Sequence, residues 1–175
     1  MGYHANFSNF SDVEDRKEDA LKMLLDSYKA LTIDQDNWVC NLSNASSLIW
    51  HCYKSLSINI NWAGFYVSEK GKEQLLLGPF QGKVACQTIQ FGKGVCGTAA
   101  STQETQLVPD VDKAADHIAC DGDTKSEIVV PIIDNKTNKT LAVIDIDCVD
   151  YNGFDEVDKE YLEQLAKLIT ETCVF

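Results

Sequence analysis

The sequence predicts an α+β fold with a six-stranded, mostly antiparallel sheet and helices packed on one face of it. Three observations lead to this class: helical spacing of apolar residues near both ends of the chain, strand-like runs between them, and short connections between strands. With 175 residues and 45% hydrophobic content, the chain is long enough for one domain with a sizeable core. We therefore expect a single domain over residues 1–175.

Two helices are predicted before the sheet. Ser11 and Asp12 could cap the first helix, and apolar residues then recur at helical spacing. These residues are Ala20, Leu21, Leu24, Leu25, Tyr28 and Leu31 in the first helix, and Trp38, Val39, Leu42, Ile49, Cys52, Tyr53 and Leu56 in the second. Both helices are expected to turn an apolar face to the core.

Six strands and a closing helix follow. The strand candidates span 60–67, 73–78, 85–91, 105–108, 126–133 and 140–148. The polar segment 134–139 is typical of a turn that joins the last two strands as a hairpin. From Asp155 onward, helical spacing returns at Val157, Tyr161, Leu162, Leu165, Ala166, Leu168 and Ile169.

Composition excludes several classes of partner. The net charge of -12 would repel phosphate backbones and anionic lipid heads, so nucleic acid and membrane partners are not expected. The N-terminal residues contain no apolar stretch of signal-peptide length, which predicts a cytoplasmic or nuclear location. Seven cysteines without close pairs indicate neither a disulfide scaffold nor a zinc finger, and they fit a reducing compartment.

A glycine-rich stretch lies between the third and fourth strand candidates. Gly92, Gly94 and Gly97 fit the dinucleotide-binding spacing, but the residues that follow are too few for a crossover helix between parallel strands. We therefore favour a tight turn into a short helix. Cys96 would lie near the N-terminus of that helix, where the dipole would favour a thiolate.

Polar and aromatic residues alternate on two of the strand candidates. Asp145 and Asp147 would share one strand face, and such a pair is costly in a sheet interior without a cation or a bound proton. The alternative is the solvated face of an edge strand. Trp62 and Tyr66 would share a face with Gly64, either as ordinary sheet aromatics or as the walls of an apolar slot for a ligand.

Several motifs together resemble one protein family. They are NWAGFY (61–66), GPFQGKVAC (78–86), FGKGVCGTAA (91–100), HIACD (117–121), SEIVVPI (126–132) and VIDID (143–147). The resemblance is to the free methionine-(R)-sulfoxide reductases, which are catalytic members of the GAF-domain superfamily. It covers residues 37–175, whereas residues 1–36 add only an N-terminal segment and a leading helix. It implies a GAF-like domain with a ligand pocket on the sheet face opposite the helices.

The resemblance also implies roles for individual residues. Cys120 would attack the sulfoxide sulfur, Cys86 would resolve the product, and Cys96 would be an auxiliary thiol. The substrate pocket would comprise Trp62, Tyr66, Glu127, Asp145 and Asp147. The implied activity is reduction of free L-methionine-(R)-sulfoxide, with no metal or resident cofactor and with thioredoxin as the external dithiol reductant. Because the superfamily often forms dimers, a homodimer is also expected.

The chemistry of the residue types is compatible with these roles. Sulfoxide reduction requires a soft nucleophile, a proton for the oxygen and a second thiol that clears the sulfenic acid. Repulsion and burial among Glu127, Asp145 and Asp147 would keep one of these acids protonated near neutral pH. The sequence does not decide which of the three acids is the proton donor, and we favour Glu127 or Asp145.

The group that binds the substrate carboxylate is less evident. The only arginine, Arg16, lies outside the motif region, so an arginine clamp is not expected. Backbone N–H groups over 116–119 are the favoured hypothesis, with Lys125 as an alternative. His117 could lower the pKa of Cys120, or it could simply be solvated.

The other four cysteines, Cys40, Cys52, Cys148 and Cys173, are interpreted as small hydrophobic side chains. The alternative function for the whole chain is a non-catalytic GAF module that binds a ligand or senses redox state and regulates a partner.

Overall fold

The computed structural model describes residues 16–113 and 122–175. Its helices are α1 (Arg16–Leu31), α2 (Trp38–Ser55), α3 (Gly94–Thr102) and α4 (Glu156–Thr172), with a 3-10 turn at Val111–Lys113. Its strands are β1 (Ile60–Ser68), β2 (Gln74–Gly82), β3 (Thr88–Gln90), β4 (Gln106–Val108), β5 (Ser126–Ile133) and β6 (Thr140–Cys148). The predicted α+β class and the order of its elements are confirmed.

The six strands form one antiparallel sheet in the order β3-β2-β1-β6-β5-β4. β1 and β6 are therefore its central strands. The predicted hairpin between β5 and β6 is confirmed, and its turn is closed by a 2.9 Å hydrogen bond from the Asp134 N–H to the Lys139 carbonyl.

The sheet separates two apolar clusters. The larger cluster joins α1, α2 and α4 to one face through residues such as Phe65 and Ile144. On the opposite face, α3 packs against Trp62 and Tyr66. Helices on one face were predicted, and this is correct for three of the four. The fourth, α3, instead covers part of the face that carries the predicted site.

Caps define the helix ends. The side chain of Asn37 accepts a 3.1 Å hydrogen bond from the Cys40 N–H at the start of α2, and Asp155 begins α4 with a reciprocal capping box that includes Asp158. The expectation that Val39 faces the core is wrong, because this first-turn side chain is 48% exposed. The predicted caps Ser11 and Asp12 lie outside the described residues.

Two predicted strand boundaries are corrected. β2 continues beyond residue 78 because it pairs with β1 as far as Gly82, whereas β3 is shorter than 85–91 and leaves Cys86 in a loop. The close approach of β2 requires a glycine in β1: a Cβ added to Gly64 would lie 2.3 Å from the Cβ of Phe80.

α1 is bound to α4 by charge as well as by apolar packing. The ammonium group of Lys17 contacts Asp155 at 2.9 Å and also the fully buried carboxylate of Asp158. Asp158 in addition accepts a 2.8 Å hydrogen bond from the Tyr53 hydroxyl. Among the described helices, none has the length and apolar character needed to cross a membrane.

Candidate active site

Three neighbouring strands build the candidate site. In the register of the sheet, Trp62 and Glu127 both pair with Asp147, and Gly64 pairs with Asp145. Because strand residues alternate between faces, these side chains and that of Tyr66 belong to the same face of the sheet. The structure thus brings together all five of the residues predicted to line the pocket.

Stacked aromatic rings form one wall. The ring centroids of Trp62 lie 5.7 Å from those of Tyr66 and 5.2 Å from those of Phe80, with interplanar angles of 22° and 13°. Phe80 was not singled out from the sequence. The pairing of Phe80 with Gly64 across β1 and β2 is the signal that could have identified it. That pairing was missed because the predicted second strand ended at residue 78, before Phe80.

The aromatic wall is hydrogen-bonded to the loop after β2. The Trp62 indole N–H donates to the Lys83 carbonyl at 3.2 Å, and the Tyr66 hydroxyl donates to the Cys86 carbonyl at 3.1 Å. Both rings are almost fully buried. These bonds hold the backbone of the cysteine-bearing loop against the site face.

The carboxylic acids form the opposite side. Cys96, Glu127 and Asp145 are each 5 to 6% exposed, and one ligand-type atom from each lies within 4.8 Å of the others. Burial raises the pKa of Asp145 to about 6, although the Cys96 thiol and the Glu127 carboxyl donate hydrogen bonds to it and thereby favour its charged form.

Glu127 is the hydrogen-bond donor to Asp145. Burial is the main reason that the pKa of Glu127 lies well above its ordinary value, and the negative charges of Asp145 and Asp147 raise it further. These effects favour the protonated form of Glu127, whose carboxyl donates a hydrogen bond to Asp145. Of the two donor candidates that sequence reasoning preferred, this arrangement favours Glu127.

The expectation that Cys96 is a thiolate is wrong. Cys96 does lie in the first turn of α3, but burial and the neighbouring Asp145 and Glu127 raise the pKa of its thiol well above the ordinary value. Desolvation and two acidic neighbours outweigh the dipole of a short helix, which is worth about 1 kcal/mol or less. Cys96 is thus a neutral thiol that donates to a carboxylate.

Cys86 differs from the other cysteines in its covalent state. Cys86 is disulfide-bonded, and free thiols are recorded among the described residues at Cys40, Cys52, Cys96, Cys148 and Cys173. The predicted nucleophile Cys120, together with His117 and the backbone N–H groups of 116–119, lies outside the described residues.

The position of β6 and the contacts of Arg16 and Lys125 bear on three other predictions. The edge-strand interpretation of Asp145 and Asp147 is wrong, because β6 is central. Arg16 donates a hydrogen bond to the Ser55 carbonyl at the end of α2, which agrees with its exclusion as a substrate clamp. Lys125 is exposed, and its ammonium nitrogen lies 5.2 Å from the centroid of the Tyr151 ring.

Comparisons with known proteins agree with this geometry. The profile of the GAF domain family matches residues 46–172. Free methionine-R-sulfoxide reductase of Saccharomyces cerevisiae is 69% identical over 174 residues, which are 99% of this chain and 96% of that protein. The Escherichia coli protein of the same name is 41% identical over 139 residues, or 79% of each chain.

A solved structure extends the likeness to three dimensions. The X-ray structure of free methionine-R-sulfoxide reductase from Neisseria meningitidis in complex with its substrate superposes with a TM-score of 0.82 at 35% identity and covers 92% of each chain. Profile, sequence and structure thus agree. This chain belongs to the GAF domain family and, within it, to the free methionine-R-sulfoxide reductases.

Proposed function

We propose that this protein reduces free L-methionine-(R)-sulfoxide to L-methionine, with Cys120 as nucleophile and Cys86 as resolving thiol. The observation that carries the proposal is the disulfide-bonded Cys86, whose backbone is held on a face of buried aromatics and carboxylic acids. Sulfoxide reduction by thiols requires these three elements: an oxidisable cysteine, an apolar slot and a proton source.

Ion pairing supports the assignment of the cysteine pair. Lys83 and Asp123 form a 2.8 Å ion pair, and each lies three residues from its cysteine, Cys86 or Cys120. Three residues span at most about 10 Å, so this contact is compatible with a disulfide between the two, which requires Cα atoms within about 7 Å of each other.

The proposed reaction proceeds in three steps. The Cys120 sulfur attacks the sulfoxide sulfur while the proton of Glu127 passes to the oxygen, which yields methionine and leaves the oxygen on Cys120 as a sulfenic acid. The Cys86 thiol then attacks that sulfenic sulfur, releasing water and forming the disulfide. A dithiol finally reduces the disulfide and restores both thiols.

The substrate would be held by its two ends. Its ammonium group would pair with Asp145 and Asp147, and its methylthio group would lie against Trp62 and Tyr66. For the carboxylate we keep the backbone N–H groups of 116–119 as the favoured partner, because the Lys125 ammonium already lies over the Tyr151 ring.

A direct assay tests the activity. Racemic free methionine sulfoxide is incubated with the protein and excess dithiol, and the products are resolved by chiral chromatography. We expect conversion to methionine to stop near one half, with the (S)-sulfoxide left. Absence of turnover would instead support the alternative, a GAF module that binds a ligand or senses redox state without catalysis.

The cellular reductant and the assembly state are also proposals. We propose thioredoxin as the dithiol, which is tested by coupling turnover to thioredoxin reductase and following NADPH oxidation. A homodimer is proposed because members of the superfamily often form dimers, and light scattering tests it. The cytoplasmic or nuclear location remains a prediction.

A further inference from the structure

We propose that the cluster of Cys96, Glu127 and Asp145 binds a thiophilic divalent cation of the Zn²⁺ type, which closes the site to substrate. The three side chains are buried, and one potential ligand atom from each lies within 4.8 Å of the others. One sulfur and two carboxylate oxygens are ligands that Zn²⁺ accepts.

The spacing is close to that of a bound ion. Zinc binds sulfur at about 2.3 Å and oxygen at about 2.0 to 2.2 Å, so tetrahedral ligand atoms lie roughly 3.5 Å apart. The separations between the three ligand atoms, at most 4.8 Å, exceed this value by about 1.3 Å at most. Three protein ligands leave a fourth position for water, as in open zinc sites.

A second observation concerns one carboxylate oxygen of this cluster. The Oδ1 atom of Asp145 is buried and has no hydrogen-bond partner among the described residues. A buried oxygen without a partner has a free-energy cost of about 1 to 3 kcal/mol. A cation between the three side chains would satisfy this oxygen and offset the repulsion among the acids.

Binding would be an exchange of cation for protons, without electron transfer. The ion would displace the protons of the Cys96 thiol and the Glu127 carboxyl and would coordinate Asp145. Ion and substrate ammonium would then compete for Asp145, and Glu127 would no longer have a proton to donate. Binding of the ion stands independently, whereas the inhibition rests on the proposed function.

Cobalt spectroscopy tests the site without an activity readout. Co²⁺ is titrated into protein that retains its Cys86 disulfide, and the thiolate-to-cobalt charge-transfer band is followed. We expect one equivalent to bind. Cys96→Ser should abolish the band, and Asp145→Asn should weaken binding at least tenfold. Cys40→Ser, which removes an exposed thiol, is the matched control and should keep the band.

Each alternative outcome overturns the proposal. A wild-type protein without the band has no such site, and a band that survives in Cys96→Ser arises from another thiol. Because Asp145→Asn retains Cys96, it remains informative if the serine variant fails to fold.

The failure of the site and the failure of the enzyme can be told apart. Zn²⁺ should inhibit turnover, and added methionine should relieve the inhibition by competing for Asp145. A cobalt band without any turnover would refute the proposed function and leave the cation site intact. Turnover without a cobalt band would support the proposed function and refute the cation site.

Discussion

The environment of each ionisable residue determines its chemical role in this site. Cys96 and Cys86 both belong to cysteine-bearing motifs, yet Cys96 is buried beside two acids and hydrogen-bonded to Asp145, whereas Cys86 is half-buried on a loop and oxidised. A neutral thiol is a poor nucleophile. Cys96 is therefore better suited to donate a hydrogen bond than to exchange disulfides.

The thiol assignments predict different defects in two variants. Cys120→Ser should abolish turnover because the attacking sulfur is gone. Cys86→Ser should reduce one equivalent of sulfoxide and then stall with Cys120 as a sulfenic acid or in a slower disulfide with Cys96. Mass spectrometry of trapped protein distinguishes these species. Cys40→Ser should behave as wild type, and full activity of Cys120→Ser would refute the assignment.

The proposed ammonium site predicts selectivity for the free amino acid. Acetylation of the substrate nitrogen removes its charge and leaves the buried Asp145 without a cationic partner. Losing one side of a buried ion pair costs roughly 3 to 5 kcal/mol, or about 10² to 10³ in kcat/KM at about 1.4 kcal/mol per decade. Comparing kcat/KM for free and N-acetylated (R)-sulfoxide tests this, and equal values would mean that no ammonium site exists.

The raised pKa of Asp145 predicts a pH-dependent stability difference. The folded protein holds this proton with a pKa of about 6, against 3.8 for an unperturbed aspartate. The group therefore contributes stability that is fully present below about pH 4 and is lost as pH rises through about 6.

Asp145→Asn removes that pH dependence. From pH 4 to 7.5, the free energy of unfolding of the variant should rise relative to wild type by about 2 to 3 kcal/mol, at 1.36 kcal/mol per pKa unit. Urea denaturation of both proteins across this range measures the difference. A constant difference would mean that the pKa of Asp145 is not raised.

At the scale of elements, the site depends on three central strands and on one helix that covers them. Alternation along β1 and β6 is local, which is why the sequence predicted one shared face for Trp62 and Tyr66 and one for Asp145 and Asp147. That the two pairs lie in one pocket was implied only by the family resemblance. The position of α3 is not local. Which face a short helix covers depends on tertiary packing, and the burial that raises the pKa of Cys96 could not be predicted for the same reason.

The contact between β1 and β2 predicts that Gly64 tolerates no side chain. In Gly64→Ala, the new methyl group would lie within 2.8 Å of the Phe80 backbone and the Pro79 carbonyl. Overpacking of this kind costs about 1 to 3 kcal/mol, and here the contacting atoms include backbone, so we expect the upper end. The displaced Phe80 ring should also raise KM.

Gly122→Ala is the matched control for this prediction. A Cβ at Gly122 would meet no atom of the described residues within 4 Å, so its effect on stability should stay within about 0.5 kcal/mol. Thermal denaturation and KM are measured for Gly64→Ala and Gly122→Ala. Similar stability and similar KM in the two variants would show that the fold and the site do not need the close approach of β2 to β1.

At the scale of the whole molecule, α1 is part of the main core although it lies before the region of family resemblance. Leu21, Leu24 and Tyr28 are almost completely buried against the helices of the same sheet face. This packing supports the prediction of one domain over residues 1–175, which stays a prediction. Helical spacing predicted that α1 turns an apolar face to the core. Which elements α1 packs against depends on tertiary structure and could not be predicted.

The ion pair between α1 and α4 predicts a stability cost when its cation is removed. Lys17→Met should lower the free energy of unfolding by about 1 to 3 kcal/mol, less than the roughly 3 to 5 for a fully buried pair. The cost is reduced because Lys17 is partly exposed and Asp158 keeps its bonds from Tyr53 and from the Asp155 N–H.

A second variant isolates the charge. Adding Asp158→Asn to Lys17→Met should recover part of the loss, because no buried charge then remains unpaired. Urea denaturation of the single and double variants measures the coupling. Strictly additive effects would mean that the ion pair does not connect the two helices.

The contact between α1 and α4 means that the family motifs occupy less of the chain than the core that supports them. A chain cut at residue 37 would retain each family motif and all five proposed pocket residues. It would nevertheless uncover the surface against which Leu21 and Tyr28 pack and would leave Asp158 without its cation. We therefore expect such a fragment to be less stable than the longer chain, because the residues that carry the motifs are not all of the residues that build the core.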